Sequence, residues 1–416
     1  MIVRNSRIMT DLKKTMRVKL KAEIESGTKT SIINLVNYLI DLAYQLKASD
    51  IHIIPEAESV RVRLRIDGIL QDEMPFPKFI HSEIVSRIKI LANLRTDEHQ
   101  TAQDGRFRVS LENGEIDIRV SIVPTYYGEN TVMRLLTDQN EEFDLDSLGF
   151  SSVDKAKVLK VIKRPYGMIL ATGPTGSGKT TTLYALIKLL NVTGNSIVTI
   201  EDPIEYSIKG INQIGVNPRT GLTFANGLRS ILRQDPNIIM VGEIRDEETA
   251  GLAVNTALTG HLLLSTIHTN DAATTLPRLI DLKVEPYLIA STVNVTIGQR
   301  LVRRICKNCK KEIKVKLSEV KNLAEVLPQN ILEQENFYKG EGCDKCNNTG
   351  YSGRICINEI LVVDNEIRNA IYNKATAAEI KAKARKQGMT TMAEDGFIKA
   401  KIGITTIEEI LRTLHE

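Results

Sequence analysis

The sequence lacks any stretch approaching the roughly eighteen uninterrupted apolar residues of a membrane-spanning helix. Its first twenty residues also carry charges where a secretory signal needs an apolar core. A cytosolic protein is expected. Cysteine is scarce, five in 416 residues, and in a cytosolic chain so few argue for metal binding or burial instead of a disulfide scaffold. Neither sign of charge dominates, since the formal net charge is only +4. Aromatic residues amount to 5% and are scarce around the Lys/Arg-rich run from Arg300 to Lys316, where base stacking on nucleic acid would need them. A nucleotide-switched zinc-ribbon nucleic-acid-binding protein is therefore only an alternative reading, and no nucleic-acid partner is expected.

The length suggests about two to four domains, and the apolar (42%) and charged (25%) fractions are ordinary for a chain with packed cores. Residues 1 to 29 hold eight Lys/Arg against three Asp/Glu. Residues 1–30 are thus a basic segment, expected as a frayed, solvated terminus rather than as a contact for anionic lipid or an acidic partner. From Ser31 the spacing of Ile32, Leu35, Val36, Leu39, Ala43 and Leu46 predicts a capped helix. Val60, Val62, Leu64 and Ile66 then alternate with Arg61, Arg63 and Arg65, turning at Asp67-Gly68. A second helix is marked by Ile80, Ile84, Ile88, Leu91 and Leu94, and a hairpin by Asn113-Gly114 between two alternating runs. Residues 31–138 form a small α/β domain on this reading, and the acidic, aperiodic residues 139–150 a linker. Strand and helix patterns alternate over 151–300, which implies a mostly parallel sheet covered on both faces. Residues 301–362 make a cysteine module and 363–416 a helical tail, with capping boxes at Thr376-x-x-Glu379 and Thr405-x-x-Glu408.

The stretch around which the chain is organised is Gly173-Pro174-Thr175-Gly176-Ser177-Gly178-Lys179-Thr180, followed by Thr181. It lies between a short buried strand, Met168 to Ala171, and a helix, Thr181 to Leu190, the context a phosphate loop requires. Its glycines let backbone N–H groups cradle phosphates at a helix N-terminus. Lys179 would neutralise the β- and γ-oxygens, and Thr180 would offer a hydroxyl to Mg²⁺. A nucleotide is expected to bind here. Three further stretches follow strands of the same domain, at the carboxyl edge where open α/β sheets bind ligands. In Glu201-Asp202-Pro203-Ile204-Glu205, Glu205 is the candidate to orient or deprotonate the attacking water, while Glu201 or Asp202 could hold the turn. In Ile238 to Asp246, Glu243 ends an apolar strand and is the candidate second ligand for Mg²⁺. In Leu264 to Asp271, His268 could report the state of the γ-phosphate, although a lone His after a buried strand is more often structural.

Together the four stretches closely resemble the secretion ATPase superfamily that powers type II secretion and type IV pili. Gly173 to Thr180 looks like its Walker A loop, Glu201 to Glu205 like its Asp box, Ile238 to Asp246 like its Walker B segment and His268 like its His box. Gly128-Glu129 with Val132 to Leu136, Leu228 to Pro236 and Gly298-Gln299-Arg300-Leu301 are similar to other signatures of that family. The resemblance implies a RecA-like P-loop ATPase domain preceded by a small PAS-like α/β domain. It implies Glu205, Glu243 and His268 as the catalytic set and ATP with Mg²⁺ as cofactors. It further implies a ring of six chains, peripheral on the cytoplasmic face of the inner membrane and partnered by a polytopic platform protein. In the family, arginines placed like Arg106 in Asp104-Gly105-Arg106 and Arg119 in Asp117-Ile118-Arg119 reach the γ-phosphate across the gap between domains. Surface ion pairing with Asp104 or Asp117 is the alternative for these two arginines.

Cys306-x-x-Cys309 and Cys343-x-x-Cys346 are two thiolate pairs separated by a long Lys/Glu-rich insert, a spacing that suits one tetrahedral, structural Zn²⁺. Cys356, in an apolar strand-like run, is expected to be a packed thiol and not a fifth ligand. This tetracysteine element is similar to that of assembly-type members and opposes the alternative of a retraction motor.

Overall fold

A computed structural model describes residues 15–111, 114–137, 143–314 and 336–415. They divide into one unit that ends at Glu141 and a second that begins at Glu142. Residues 1–14 of the basic segment, Asn113 of the expected turn, the first part of the linker and residues 315–335 of the insert lie outside the described residues.

In the first unit, α1 (Ile32–Gln45) starts where the Ser31 hydroxyl accepts from the Asn34 N–H, and it buries Leu35, Val36, Leu39 and Ile40 on one face. Its strands are β1 (Ala48–Pro55), β2 (Ser59–Ile66), β3 (Ile69–Asp72), β4 (Phe76–Pro77), β5 (Gln103–Leu111), β6 (Gly114–Thr125) and β7 (Gly128–Thr137), with α2 (His81–Leu91) between β4 and β5. The antiparallel sheet runs β3-β2-β1-β7-β6-β5, with β4 beside β2. Asp67 and Gly68 both take positive φ, 50° and 87°, so that Ile66 pairs directly with Ile69 across a two-residue turn. Alternation then sends Val60, Val62 and Leu64 into the core under α1 and leaves Arg61, Arg63 and Arg65 on the other face. The Gly128-Glu129 signature has a packing role here. Glu129 accepts an ion pair from the fully buried Lys89 at 2.7 Å, and a Cβ on Gly128 would lie 2.9 Å from the His81 ring.

The expected frayed terminus is corrected from residue 15 onward. Residues 15–25 are helical, Met16 and Leu20 are buried in the first unit's core, and Arg17 pairs with Glu73 at 2.8 Å. Met16, Leu20 and Ile24 recur at intervals of four, a stripe that makes an otherwise basic segment one-sided.

The second unit is built on β8 (Gly167–Thr172), β9 (Ile197–Glu201), β10 (Asn212–Gly215), β11 (Ile238–Val241), β12 (Leu262–Ile267), β13 (Val293–Ile305) and β16 (Tyr351–Val362), in the order β10-β9-β11-β12-β8-β13-β16. All neighbours are parallel except β16, which is antiparallel to β13. Met168 and Leu170 of β8 enter one hydrophobic cluster while Ile169 and Ala171 enter another, as a sheet covered on both faces requires. Helices α3 (Ser152–Val161) and α4 (Lys179–Leu190) belong to one face. The other face is covered by α5 (Phe224–Ile231), α6 (Glu247–Leu258), α7 (Thr275–Asp281) and α8 (Pro286–Thr292). A two-stranded ribbon, β14 (Lys310–Lys314) with β15 (Asn336–Gly340), carries the cysteine module. The tail holds α9 (Asn365–Tyr372), α10 (Ala377–Lys386), α11 (Met392–Lys401) and α12 (Ile407–His415).

Three expectations shift in this unit. Residues 143–150 are not a free linker: Leu145, Leu148 and Phe150 are buried, and the Leu148 carbonyl accepts from the Cys356 N–H at 3.1 Å. The sheet does not stop at residue 300, because β13 runs through it and β16 pairs along its length. The last helix is capped by Thr406, whose hydroxyl accepts from the Glu409 N–H, while the Thr405 hydroxyl donates to the Arg303 carbonyl. In Thr405-Thr406 either hydroxyl matches a cap pattern, and the bond to β13 decides between them. Thr376 forms its capping box with Glu379, and Thr391 forms another with Glu394. Among the described residues no helix is long and apolar enough to cross a membrane.

Candidate functional site

The loop after β8 turns on glycines with positive φ at 173, 176 and 178, and Gly178 (φ 88°) caps α4. No side chain could replace Gly173, since a Cβ there would sit 2.3 Å from the Gln299 carbonyl and 2.6 Å from the Ser177 hydroxyl. Pro174, Thr175 and Gly176 are exposed, Ser177 and Lys179 are buried, and Thr180 and Thr181 lie half-buried in the first turn of α4. The Lys179 ammonium donates to the carbonyl oxygens of Gly173 and Pro174, each at 2.9 Å. Burial lowers its pKa to about 8, with the Glu243 carboxylate opposing the shift. Glu243, though far from Lys179 in sequence, thus acts on the phosphate loop.

Glu243 follows β11 and is nearly buried. Its carboxylate accepts a close contact from Arg245 Nε and stands 3.3 Å from His268 Nε2. His268 itself is 44% exposed and follows β12. The segment after His268 is fastened to β8: the Thr172 hydroxyl accepts from the Thr269 N–H at 3.0 Å and donates to the Thr269 carbonyl at 2.9 Å. Glu205 is exposed after β9, and its N–H donates to the Tyr184 hydroxyl at 3.4 Å, on the second turn of α4. Tyr184 also donates closely to Glu201, which is buried and receives the Thr199 hydroxyl at 2.6 Å and the Gln213 amide at 3.2 Å. Burial and the Glu201 charge push the Tyr184 phenol upward, so it stays a neutral donor. Of the acids in this stretch, then, Glu201 holds the turn and Glu205 is left facing outward. Sequence reasoning gave no role to Tyr184 or Gln213, because each is a single polar residue inside an otherwise ordinary pattern, and it met Gln299 only as a member of the Gly298 to Leu301 signature.

In the first unit, strand register places Arg106 opposite Arg119, Arg119 opposite Arg134, and Arg134 and Arg65 on either side of Asp50. Asp50 pairs with Arg134 at 3.0 Å and with Arg65 at 3.3 Å. Asp117 is taken by Arg108 at 2.9 Å. Among the described residues neither Arg106 nor Arg119 has an ion-pair partner. Like charges directly opposite in a sheet do not favour its pairing.

The four sulfurs of Cys306, Cys309, Cys343 and Cys346 lie within 4.8 Å of one another, with separations of 3.9 Å (306 to 343), 3.8 Å (309 to 346) and 3.7 Å (343 to 346). A tetrahedron with metal–sulfur bonds of about 2.3 Å has edges of about 3.8 Å, so the donor set fits Zn²⁺. Burial disfavours the Cys343 thiolate, yet the Cys346 N–H and the Asn308 amide outweigh it and lower the thiol to about 6. Cys356 is not in this cluster. It is fully buried behind the phosphate loop, and burial raises its thiol to about 12.

The arginines of the basic run are engaged inside the fold. Arg300 donates to the Thr413 carbonyl at 2.9 Å, Arg303 pairs with the buried Glu409 at 2.5 Å, and Arg304 donates to the Ser147 carbonyl at 3.0 Å.

A family model described as type II/IV secretion system protein matches residues 25–412. The chain belongs to this family. It is 47% identical over 381 residues to a protein of Thermus thermophilus named type IV pilus assembly ATPase PilB, covering 91% of this chain and 43% of that protein. It is 45% identical over 399 residues to the type II secretion system protein E of Xanthomonas campestris, covering 95% and 70%. The chain therefore spans under half the length of the first relative and about two thirds of the second. Among solved structures, the Legionella pneumophila ATPase DotB superposes with a TM-score of 0.67 at 22% identity, over 93% of this chain and 96% of that one. The pilus retraction motor PilT with bound ADP superposes at 0.60 and 27%, over 90% and 95%. This secretion-ATPase family has the α/β fold described above.

Proposed function

We propose that the chain is the ATP-hydrolysing subunit of a motor that assembles a type IV pilus or a type II secretion pseudopilus. One observation carries the reading. The phosphate loop, Glu205, Glu243 and His268 follow β8, β9, β11 and β12, which are neighbours in the sheet and parallel, so all four emerge at one carboxyl edge. Backbone N–H groups of residues 176 to 180 and Lys179 hold the phosphates of ATP. Thr180 and Glu243 are the oxygen donors that would hold Mg²⁺, a hard cation suited to a hydroxyl and a carboxylate. When bound, Mg²⁺ neutralises charge on the β- and γ-phosphates. Arg245 and His268 fix the Glu243 carboxylate. Glu205 orients and deprotonates the attacking water, with its loop held to α4 through Tyr184. Arg106 and Arg119 sense the γ-phosphate, since a planar guanidinium meets phosphate oxygens with two bonds. The cysteine cluster binds structural Zn²⁺ with no position left open for a water.

The working form on this reading is a ring of six chains, cytoplasmic and peripheral on the inner membrane, acting on a polytopic platform protein. The name of the Thermus relative supports assembly, that of the Xanthomonas relative supports type II secretion, and the tetracysteine element supports the assembly type. Deleting the gene should abolish surface filaments or secretion of the cognate substrates. Cells that instead carry more filaments than the parent would identify a retraction motor.

A further inference from the structure

The Gly298 to Leu301 signature has no role in the hydrolytic scheme above, yet it places a fully buried amide against the phosphate loop. In β13, Gly298 is in register with Thr172, the last residue of β8, so Gln299 comes next to the loop that leaves β8. Gln299 is 0% exposed. Its Nε2 donates to the Ser177 carbonyl at 3.0 Å and to the Cys356 sulfur at 3.5 Å. Its Oε1 is buried and has no partner among the described residues. Leaving a buried acceptor unpaired is unfavourable, and an apolar residue of the same length would fill this space without that penalty. The donating half of the amide must therefore matter.

We infer that Gln299 is a positioning residue that sets the orientation of the 177–178 peptide in the phosphate loop. A trans peptide is planar, and its C=O and N–H point in opposite directions. Fixing the Ser177 carbonyl on Gln299, behind the loop, turns the Gly178 N–H forward into the cradle, at the N-terminus of α4, where phosphate binds. Gly178 holds the turn at φ 88°, and a Cβ there would come 3.2 Å from Gln299 Nε2 and 3.4 Å from the Cys356 sulfur. The neutral Cys356 thiol is the second wall of the same socket. Gln299 touches the loop's back and acts on the phosphates only through it.

This inference rests on the nucleotide-binding reading, and the test separates the two. The probes are ADP, measured directly, and adenosine, measured by competition, on the full zinc-loaded chain. Gln299→Met keeps the length and removes the donor. It should weaken ADP binding by about tenfold or more, the loss expected for one hydrogen bond to a charged group. Adenosine affinity and the melting temperature without nucleotide should stay at the wild-type values. Turnover at saturating ATP should change less than KM. Gln299→Glu, which sets a carboxylate against the Ser177 carbonyl, should bind ADP more weakly still and recover as falling pH protonates the buried carboxyl into a donor. ADP binding at wild-type strength in Gln299→Met overturns the inference. So does an equal loss for ADP and adenosine, or a collapse in melting temperature, since each marks Gln299 as core packing. Wild-type protein that binds no ADP contradicts the nucleotide reading itself.

Discussion

Lys179 illustrates how burial sets chemistry at a single residue. Desolvation has lowered its pKa to about 8 in spite of Glu243, so near that pH a sizeable fraction of the ammonium is deprotonated. Phosphate oxygens favour the charged form, and the bound-state pKa must rise above the free one. Binding is therefore fully supported well below pH 8 and weakens as pH climbs through and past it. Calorimetry in buffers of different ionisation enthalpy should find net proton uptake on nucleotide binding near pH 8 that diminishes as pH falls. No uptake at pH 8 would show that Lys179 is already charged there. The lysine, the glycines and Glu243 were legible in the sequence because their chemistry depends on spacing along the chain. The roles of Tyr184, Gln213 and, within its signature, Gln299 were not, because their partners Glu201, Glu205 and Ser177 are brought to them by the fold.

Elements whose character is uniform along their length were read closely. β11 and β12 are buried end to end, and their apolar runs mark both limits. Elements with a mixed role were misread. Leu145, Leu148 and Phe150 are scattered among acids, so their burial against β16 had no periodicity to show it. β13 passes from the second unit's sheet toward Cys306 within a single strand, so no compositional break marks the border. That continuity bears on the metal. Tail and module are packed together, with Phe337 of β15 against Phe397 of α11 at 5.5 Å between ring centres. Removing one zinc ligand should loosen this contact before it reaches the phosphate loop. Metal analysis should find about one Zn²⁺ per wild-type chain, and Cys343→Ser should lose it and lower the melting temperature by roughly 5–10 °C, with nucleotide affinity retained. An unchanged melting curve and no metal in the wild type would contradict a structural zinc site.

At the scale of the whole molecule, the chain divides into two units, one carrying the Gly173 to Thr180 loop and its carboxylates and the other a row of arginines. Arg106, Arg119 and Arg134 are held opposite one another with Asp50 at one end, an arrangement that stability alone does not favour. If Arg106 and Arg119 read the γ-phosphate, Arg106→Ala and Arg119→Ala should each lower turnover by about 10³-fold, as loss of an arginine finger does, while ATP affinity changes far less. Near-normal turnover in both would return them to surface residues. Such contacts depend on the γ-phosphate, which is the differential interaction a motor needs to convert hydrolysis into motion.

The central claim is a division of labour between a loop that binds ATP and a carboxylate that cleaves it. The direct measurement is ATP affinity and phosphate release for Glu205→Gln beside Lys179→Ala, both in the full chain. Glu205→Gln should bind ATP as the wild type does and release almost no phosphate, whereas Lys179→Ala should fail to bind. Wild-type turnover in Glu205→Gln would contradict the account and move the catalytic base to Glu243.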